Sequence, residues 1–468
     1  MTHPNPALAR AAAALEAAAP RAAADPLRPR YHFHPPAQWM NDPNGTIFVD
    51  GVYHLFYQLN PYDDRWGDIH WGHAVSRDLV HWAHRPIALW PSHELSEAHC
   101  FSGCATIRAD GTPLLYYTSV GPGESAQRPP FQQWAALGDP TWDNWQKHPQ
   151  NPILDLSSHD GPDFLGTWRD PFVFQAGERT LMALGAETAD EATVALYEAA
   201  DDTQTAWRFV GTLYRTPKEA IRFCECPNFV QVGDAWVLLL SPYRPVEYIV
   251  GDFDAQTLTF TPITQGVFDP GVGPTEPAGH FYATNIIHPP DGRCVVLGWV
   301  RGWNGCLALP RVLTLDEKRR PRQAPIAELT TLRGRAQQLH QTGLPPGIHV
   351  VATGVSSCCE IAATVAGAES WTLRLRAADT AIAALTVTVD ATDVLVDDVH
   401  APLPWTTGAP VDVRLFLDRS VVELFAGEGR VAVTLVRPLP DGWMDVELVA
   451  DQTIQVAELA VWEMNPSG

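Results

Sequence analysis

Three short motifs in this sequence, each closing on proline, carry a carboxylate: Asn41-Asp42-Pro43 inside Trp39–Gly45 (WMNDPNG), Arg169-Asp170-Pro171 and Glu225-Cys226-Pro227. Asp42 stands at the head of four turn formers, Asp42-Pro43-Asn44-Gly45, led in by Trp39, Met40 and Asn41. Each motif alone is ordinary, since a carboxylate at the start of a turn is common Asx chemistry. Gathered in one pocket they would not be ordinary. Crowded carboxylates repel one another, and desolvation adds to the cost. Hydrolysis of a glycosidic bond needs such a set. One carboxylate attacks or activates water, one protonated carboxyl gives its proton to the leaving oxygen, and a further anion stabilises oxocarbenium-like charge or holds ring hydroxyls. Arg169 beside Asp170 is expected to help keep that acid ionised.

Acids so far apart in sequence need a fold that returns repeatedly to one axis. After Gly45 the stretch GTIFVDGVYHLFYQ reads as two strands, Thr46–Val49 and Val52–Gln58, joined by Asp50-Gly51, a strong hairpin signal. The plan recurs with turns at Asp110-Gly111, Gly177-Glu178, Gly233-Asp234 and Asp291-Gly292. Counted from Gly45, Gly103, Pro171, Pro227 and Tyr282, the steps are 58, 68, 56 and 55 residues. Near-constant β-units predict a five-bladed β-propeller, the competing expectation being an irregular all-β domain. In a propeller the innermost strand of each blade lines the channel. The residues at its entrance converge: Asn41-Asp42, Phe101-Ser102, Arg169-Asp170, Glu225-Cys226 and Tyr282.

Beyond the last repeat the pattern changes. A charged, proline-bearing and then helix-like stretch predicts a linker at 329–345. Strict alternation follows in WTLRLRA, ALTVTVDATDVLVDD and VDVRLFLDRSVVELFAGEGRVAVTLV. Period-two strands between Asp/Gly turns predict a β-sandwich over 346–468. The propeller is then expected at 29–328. The first 28 residues read as an Ala-rich segment with a helix from Pro6 to Ala19, ended by Pro20.

Composition narrows the partners. The chain of 468 residues is 46% hydrophobic and 18% charged, with net charge −22 and 17 tryptophans. Such a charge argues against nucleic acid and anionic membranes as partners. No stretch approaches the roughly 18 apolar residues a membrane span needs. The Ala run, broken by Glu16 and Arg21, makes a poor signal peptide. The eight cysteines, at 100, 104, 224, 226, 294, 306, 358 and 359, show neither a disulfide framework nor a zinc-ligand spacing. Free thiols and a cytoplasmic location are the expectation.

The motifs WMNDPNG, Phe56–Gln58 (FYQ), WGDIHWGHAVSRDLVHW from Trp66, Phe101–Gly103 (FSG), Trp168–Pro171 (WRDP), Glu225–Pro227 (ECP) and Phe281–Ala283 (FYA) occur in the order found in the β-fructofuranosidase family. That is glycoside hydrolase family 32, the invertase, inulinase and levanase group. LALPRVLTL and DRSVVELFAGEGR are similar to it as well, so the resemblance runs from about Pro29 onward. It implies a propeller followed by a sandwich. It implies Asp42 as nucleophile, Glu225 as general acid/base and Asp170 as stabiliser of the transition state, with Arg169 nearby. Asn41, Gln58, Trp66, Phe101, Ser102, Tyr282 and Trp299 are the implied sugar contacts, and Trp39 packs beside the site. The implied reaction releases terminal β-D-fructofuranosyl units from sucrose or short fructo-oligosaccharides by double displacement, with no metal or organic cofactor. A fructosyltransferase shares that intermediate, while an inverting propeller glycosidase or a non-catalytic sugar-binding propeller are more distant alternatives. A monomer or homodimer is expected. Cys224, Cys104, His280 and Asp68 depart from the family pattern and are expected near the pocket, Cys224 reshaping the leaving-group side.

Overall fold

Asp50 and Gly51 both take left-handed backbone angles (φ 49° and 80°), and Val49 pairs directly with Val52 across them. This is the tight hairpin that a twisted antiparallel pair demands. It opens the first of seven antiparallel sheets, five of them before the sandwich, among the described residues of the computed structural model, 5–124, 127–273, 276–377 and 383–467. The first sheet runs Trp39–Val49, Val52–Asn60, His70–Ser76 and Trp82–Leu89. The next begin at His99–Ile107, Arg169–Ala176, Asn228–Val232 and Phe281–Ile287. These leading strands neighbour one another in cyclic order, the last returning to the first, which is the ring of a β-propeller. Aromatic wedges fill the gaps between sheets. Phe229 stacks on Trp236 and meets Phe174, Phe253 and Phe260 edge-on between the third and fourth.

The sandwich follows. One sheet orders Arg333–Leu344, Ile454–Met464, Cys358–Ala366, Val411–Asp418, Val421–Ala426 and Val431–Val436. The other orders Gly347–Val355, Met444–Ala450, Trp371–Ala377, Ala383–Val389, Asp393–Val396 and Val399–Pro402. Alternation decides which side chains enter: Trp371, Leu373 and Leu375 are buried, and Thr372 and Arg374 are not.

Three expectations are corrected here. The stretch 329–345 is not a linker, because Arg333–Leu344 is an edge strand of the sandwich, preceded by a 3₁₀ turn at Ala327–Leu332. An edge strand with little buried surface has no apolar face to reveal it. The helix does not stop at Pro20 but runs Pro6–Ala23. Proline removes one N–H there, and the last turn is closed by the Ala24 N–H reaching the Pro20 and Arg21 carbonyls. Asp42-Pro43-Asn44-Gly45 is not a turn. It lies within the strand Trp39–Val49, whose pairing slips between Met40 and Pro43 and again between Asn44 and Ile47.

The N-terminal segment, the propeller and the sandwich meet at a dry, charged joint. His32 Nδ1 lies 2.8 Å from Asp418 and Nε2 lies 3.0 Å from Glu423, and all three side chains are fully buried. Arg311, equally buried, reaches Glu423 at 2.6 Å and Asp269 at 2.9 Å. Backbone N–H groups of Arg30, Tyr31 and His32 converge on Asp418. Burial opposes a charged imidazole, but the bonds to Asp418 and Glu423 outweigh it and lift His32 from 6.5 to about 9. A folded-state pKa raised in this way stabilises the fold fully below pH 6.5, and the gain drains away as pH climbs through 9. The unfolding free energy is therefore expected to fall by up to about 3 kcal/mol across that window, read by urea titration at constant ionic strength. A flat profile would mean that His32 is neutral throughout.

Candidate active site

The slips in pairing position the acids. Pro43 cannot donate to a ladder, and Gly45 (φ 53°) is left-handed, so the strand bulges at Asp42 and turns its carboxylate toward the axis. The device recurs at the other leading strands. Asp170 (φ 68°), Cys226 (φ 48°) and Ala283 (φ 46°) lie within two residues of their starts in the same left-handed region. Pairing also slips between Cys100 and Gly103, around Phe101 and Ser102. Non-glycine residues held there carry strain that such sites commonly store.

Every catalytic or sugar-contact residue expected from the sequence except Ser102 lines one cavity of about 440 Å³: Asn41, Asp42, Gln58, Trp66, Phe101, Arg169, Asp170, Glu225, Tyr282 and Trp299, together with Trp39. Ser102 lies behind Asp42, its hydroxyl donating a short bond to Asp42 Oδ2. Gln58 Nε2 adds a bond to the same oxygen at 3.3 Å and the Cys226 thiol approaches it at 3.6 Å. Among the described residues Asp42 Oδ1 receives only Asn41 Nδ2, at 3.0 Å, and Asn41 is itself braced by Trp39 Nε1 and Gln58 Oε1. Burial pushes Asp42 above the usual carboxylate range, and the Ser102 bond opposes it.

Arg169 favours the ionised form of Asp170, as the sequence suggested, and also holds Glu225. Its Nη2 is 2.7 Å from Glu225 Oε1, while its Nε is 3.7 Å from Asp170. Burial pushes Asp170 up to about 7 despite Arg169, with Glu225 and Asp42 adding to the rise. Side-chain length explains the second contact: the guanidinium extends past Asp170 to reach Glu225. The other oxygen of Glu225 accepts the Tyr282 hydroxyl at 2.7 Å. Trp66, 46% exposed, stands edge-on to Phe101 at the rim, so neither ring is consumed by the core.

The departures from the family pattern fall elsewhere than expected. Cys224 is fully buried in the apolar wedge with Phe229 and Leu240 and does not line the cavity. Cys104 packs in the core with its sulfur toward the Val173 N–H. His280 accepts the Val436 N–H from the sandwich, and Asp68 offers its carbonyl to His70. Sequence reasoning named Cys226 only as a strand-entrance residue and missed Tyr243, Ala278 and Arg301. The last three line the cavity, and Arg301 lies over the rings of Tyr282 and Trp299. Cys226 stood inside a quoted motif, and Arg301 follows Trp299 by two residues, but Tyr243 sits in a loop that carries no signal. A cavity of about 450 Å³ at the far ends of the same strands, lined by Phe48, Phe174, Gln175 and Gln231, contains none of the three acids.

A propeller that turns three carboxylates, two guanidinium groups and several aromatic rings into one cavity, joined to a β-sandwich, defines a glycoside hydrolase. Residues 32–325 match the glycosyl hydrolases family 32 N-terminal domain, and residues 328–463 match the family 32 C-terminal domain. The chain belongs to glycosyl hydrolase family 32. It is 33% identical to β-fructofuranosidase 1 of Zea mays over 68% of this chain and 53% of that one. It is 28% identical to sucrose-6-phosphate hydrolase of Escherichia coli over 93% and 94% of the two chains. It superposes on a Bombyx mori family 32 β-fructofuranosidase, solved as a mutant in complex with sucrose, with TM-score 0.84 and 27% identity across 99% of both chains. The chain thus spans about half the length of the maize relative and nearly all of the bacterial and insect ones.

Proposed function

We propose that this protein is a retaining β-fructofuranosidase that removes terminal fructosyl units from sucrose or short fructo-oligosaccharides. The observation that carries this reading is that Asp42 and Glu225 open onto the same cavity, each held by its own donors. Asp42 Oδ2 is occupied, so Oδ1 is the attacking oxygen. Glu225 protonates the departing oxygen as the C–O bond breaks and a covalent fructosyl ester forms on Asp42. Glu225 then takes a proton from water, whose oxygen attacks the same carbon, releasing fructose and free Asp42. Asp170 holds ring hydroxyls, its Oδ2 fixed by the Cys226 N–H at 3.0 Å. Two carboxyls do the acid–base and covalent work, so the reading requires no cofactor. The eight cysteines are free and buried, and a reducing cytoplasmic setting suits them.

The test is a panel of sucrose, raffinose, kestose, inulin and levan, followed by NMR from the first seconds. The expected result is β-fructofuranose as the first product, fastest from sucrose or kestose. First release of the α-anomer would refute retention. Oligosaccharides in place of free fructose at high sucrose would reassign the protein as a transferase.

A further inference from the structure

We propose that Tyr243 sets Glu225 for proton transfer and forms the leaving-group side of the cavity, making it a positioning and specificity-determining residue for the proposed reaction. The inference rests on the fructosidase reading and adds a residue to it. Tyr243 lies in the loop between the strands Ala235–Leu240 and Glu247–Asp254. It grips Glu225 from both sides. Its hydroxyl accepts from Arg169 Nη2 at 2.5 Å, and that same nitrogen is 2.7 Å from Glu225 Oε1. Its backbone N–H donates to the Tyr282 hydroxyl at 2.9 Å, and that oxygen is 2.7 Å from Glu225 Oε2. These four groups and the carboxyl itself close a ring.

Closing the ring requires the backbone of Tyr243 at φ 60°, a conformation an aromatic residue seldom adopts. The geometry also suits a group that must both lose and regain a proton. The Tyr282 hydroxyl has one proton and two acceptors in reach, Glu225 Oε2 at 2.7 Å and the Ser241 carbonyl at 2.6 Å. When Glu225 is ionised the hydroxyl points to it, and when Glu225 is protonated the hydroxyl turns to Ser241. The Tyr243 N–H keeps Tyr282 in place through both states.

The side chain of Tyr243 lines the cavity and is 44% exposed, while the Arg222 guanidinium lies 5.6 Å from its ring. Burial pushes its hydroxyl up to about 12, so it keeps its proton. Since the oxygen already accepts from Arg169, that proton is left for a hydroxyl of the departing sugar. The exposed ring offers the apolar face on which that sugar stacks.

The experiment compares sucrose, whose leaving group needs a proton, with an aryl β-fructofuranoside, whose leaving group does not. Tyr243→Phe keeps the ring and removes the hydroxyl. Its kcat/KM is expected to fall roughly tenfold on sucrose, through kcat, and less than about threefold on the aryl fructoside. Tyr243→Leu removes the ring as well and is expected to raise KM for sucrose several-fold further. Equal losses of Tyr243→Phe on both substrates, or no loss on either, would overturn the inference while leaving the fructosidase reading intact. A wild-type protein inert toward both substrates would overturn that reading, and this one with it.

Discussion

Asp42→Asn is expected to leave a folded protein whose turnover of sucrose is reduced by roughly four or more orders of magnitude. The amide is nearly the same size as the carboxylate but cannot attack the anomeric carbon, so the covalent step is lost rather than slowed. The surroundings sharpen the effect. Ser102 and Gln58 both donate to Oδ2, and Asn41 donates to Oδ1. Whichever way the new amide is turned, its NH₂ faces a donor. One hydrogen bond is lost and a local penalty of about 1–2 kcal/mol follows. Removing a buried charge relieves desolvation at the same time, because Asp42 is held above its ordinary pKa by burial. Global stability should therefore change little. Intact-protein mass spectrometry after a quench should show a fructosyl adduct on the wild type with an activated substrate and none on the variant. Near-normal turnover by the variant would remove Asp42 from the nucleophile's role and leave the cavity without an attacking group.

The pairing slips that aim Asp42 also mark where sequence reasoning reaches its limit. The hairpin turns at Asp50-Gly51, Gly177-Glu178 and Gly233-Asp234 were legible because two-residue loops demand left-handed glycine, a local requirement written in two letters. The sandwich was legible because one dry face forces period-two alternation on strands such as Trp371–Ala377. The bulge at Asp42-Pro43-Asn44-Gly45 uses the same residue types as a turn, and only the partner strand Val52–Asn60 decides between the two. The edge strand Arg333–Leu344 was hidden because polar edges look like linkers. At the site, residues inside recurring motifs could be placed by asking what begins each leading strand. Tyr243 could not, since its position depends on a loop crossing to the neighbouring sheet and on a backbone angle its side chain does not favour. Arg169 was placed correctly, with one of its two carboxylate partners. Adjacency in sequence pointed to Asp170, whereas the length of the side chain carries the guanidinium to Glu225.

Glu225→Gln tests the other half of the chemistry, and its signature lies in the choice of substrate. The glucose of sucrose leaves as an alkoxide unless its oxygen is protonated, so kcat/KM on sucrose is expected to fall by roughly a thousandfold. An aryl β-fructofuranoside leaves unaided, so formation of its fructosyl ester should slow by less than about tenfold. The second step still needs a base, because water must be deprotonated as it attacks. The variant should therefore release one equivalent of phenol in a burst and then stall as the ester on Asp42. Azide, a nucleophile that needs no base, should restart turnover and yield fructosyl azide. The hydrogen-bond frame survives in large part. The new amide oxygen can still accept from Arg169, and its NH₂ can meet the Tyr282 oxygen if that hydroxyl turns to Ser241. A folded protein with an intact cavity is thus expected, and unchanged thermal unfolding would show it. An equal loss on sucrose and the aryl fructoside, without a burst, would mean that Glu225 only binds the substrate. The proton would then have to come from another group on the cavity wall, and Asp170, held near 7 by burial, is the next in line.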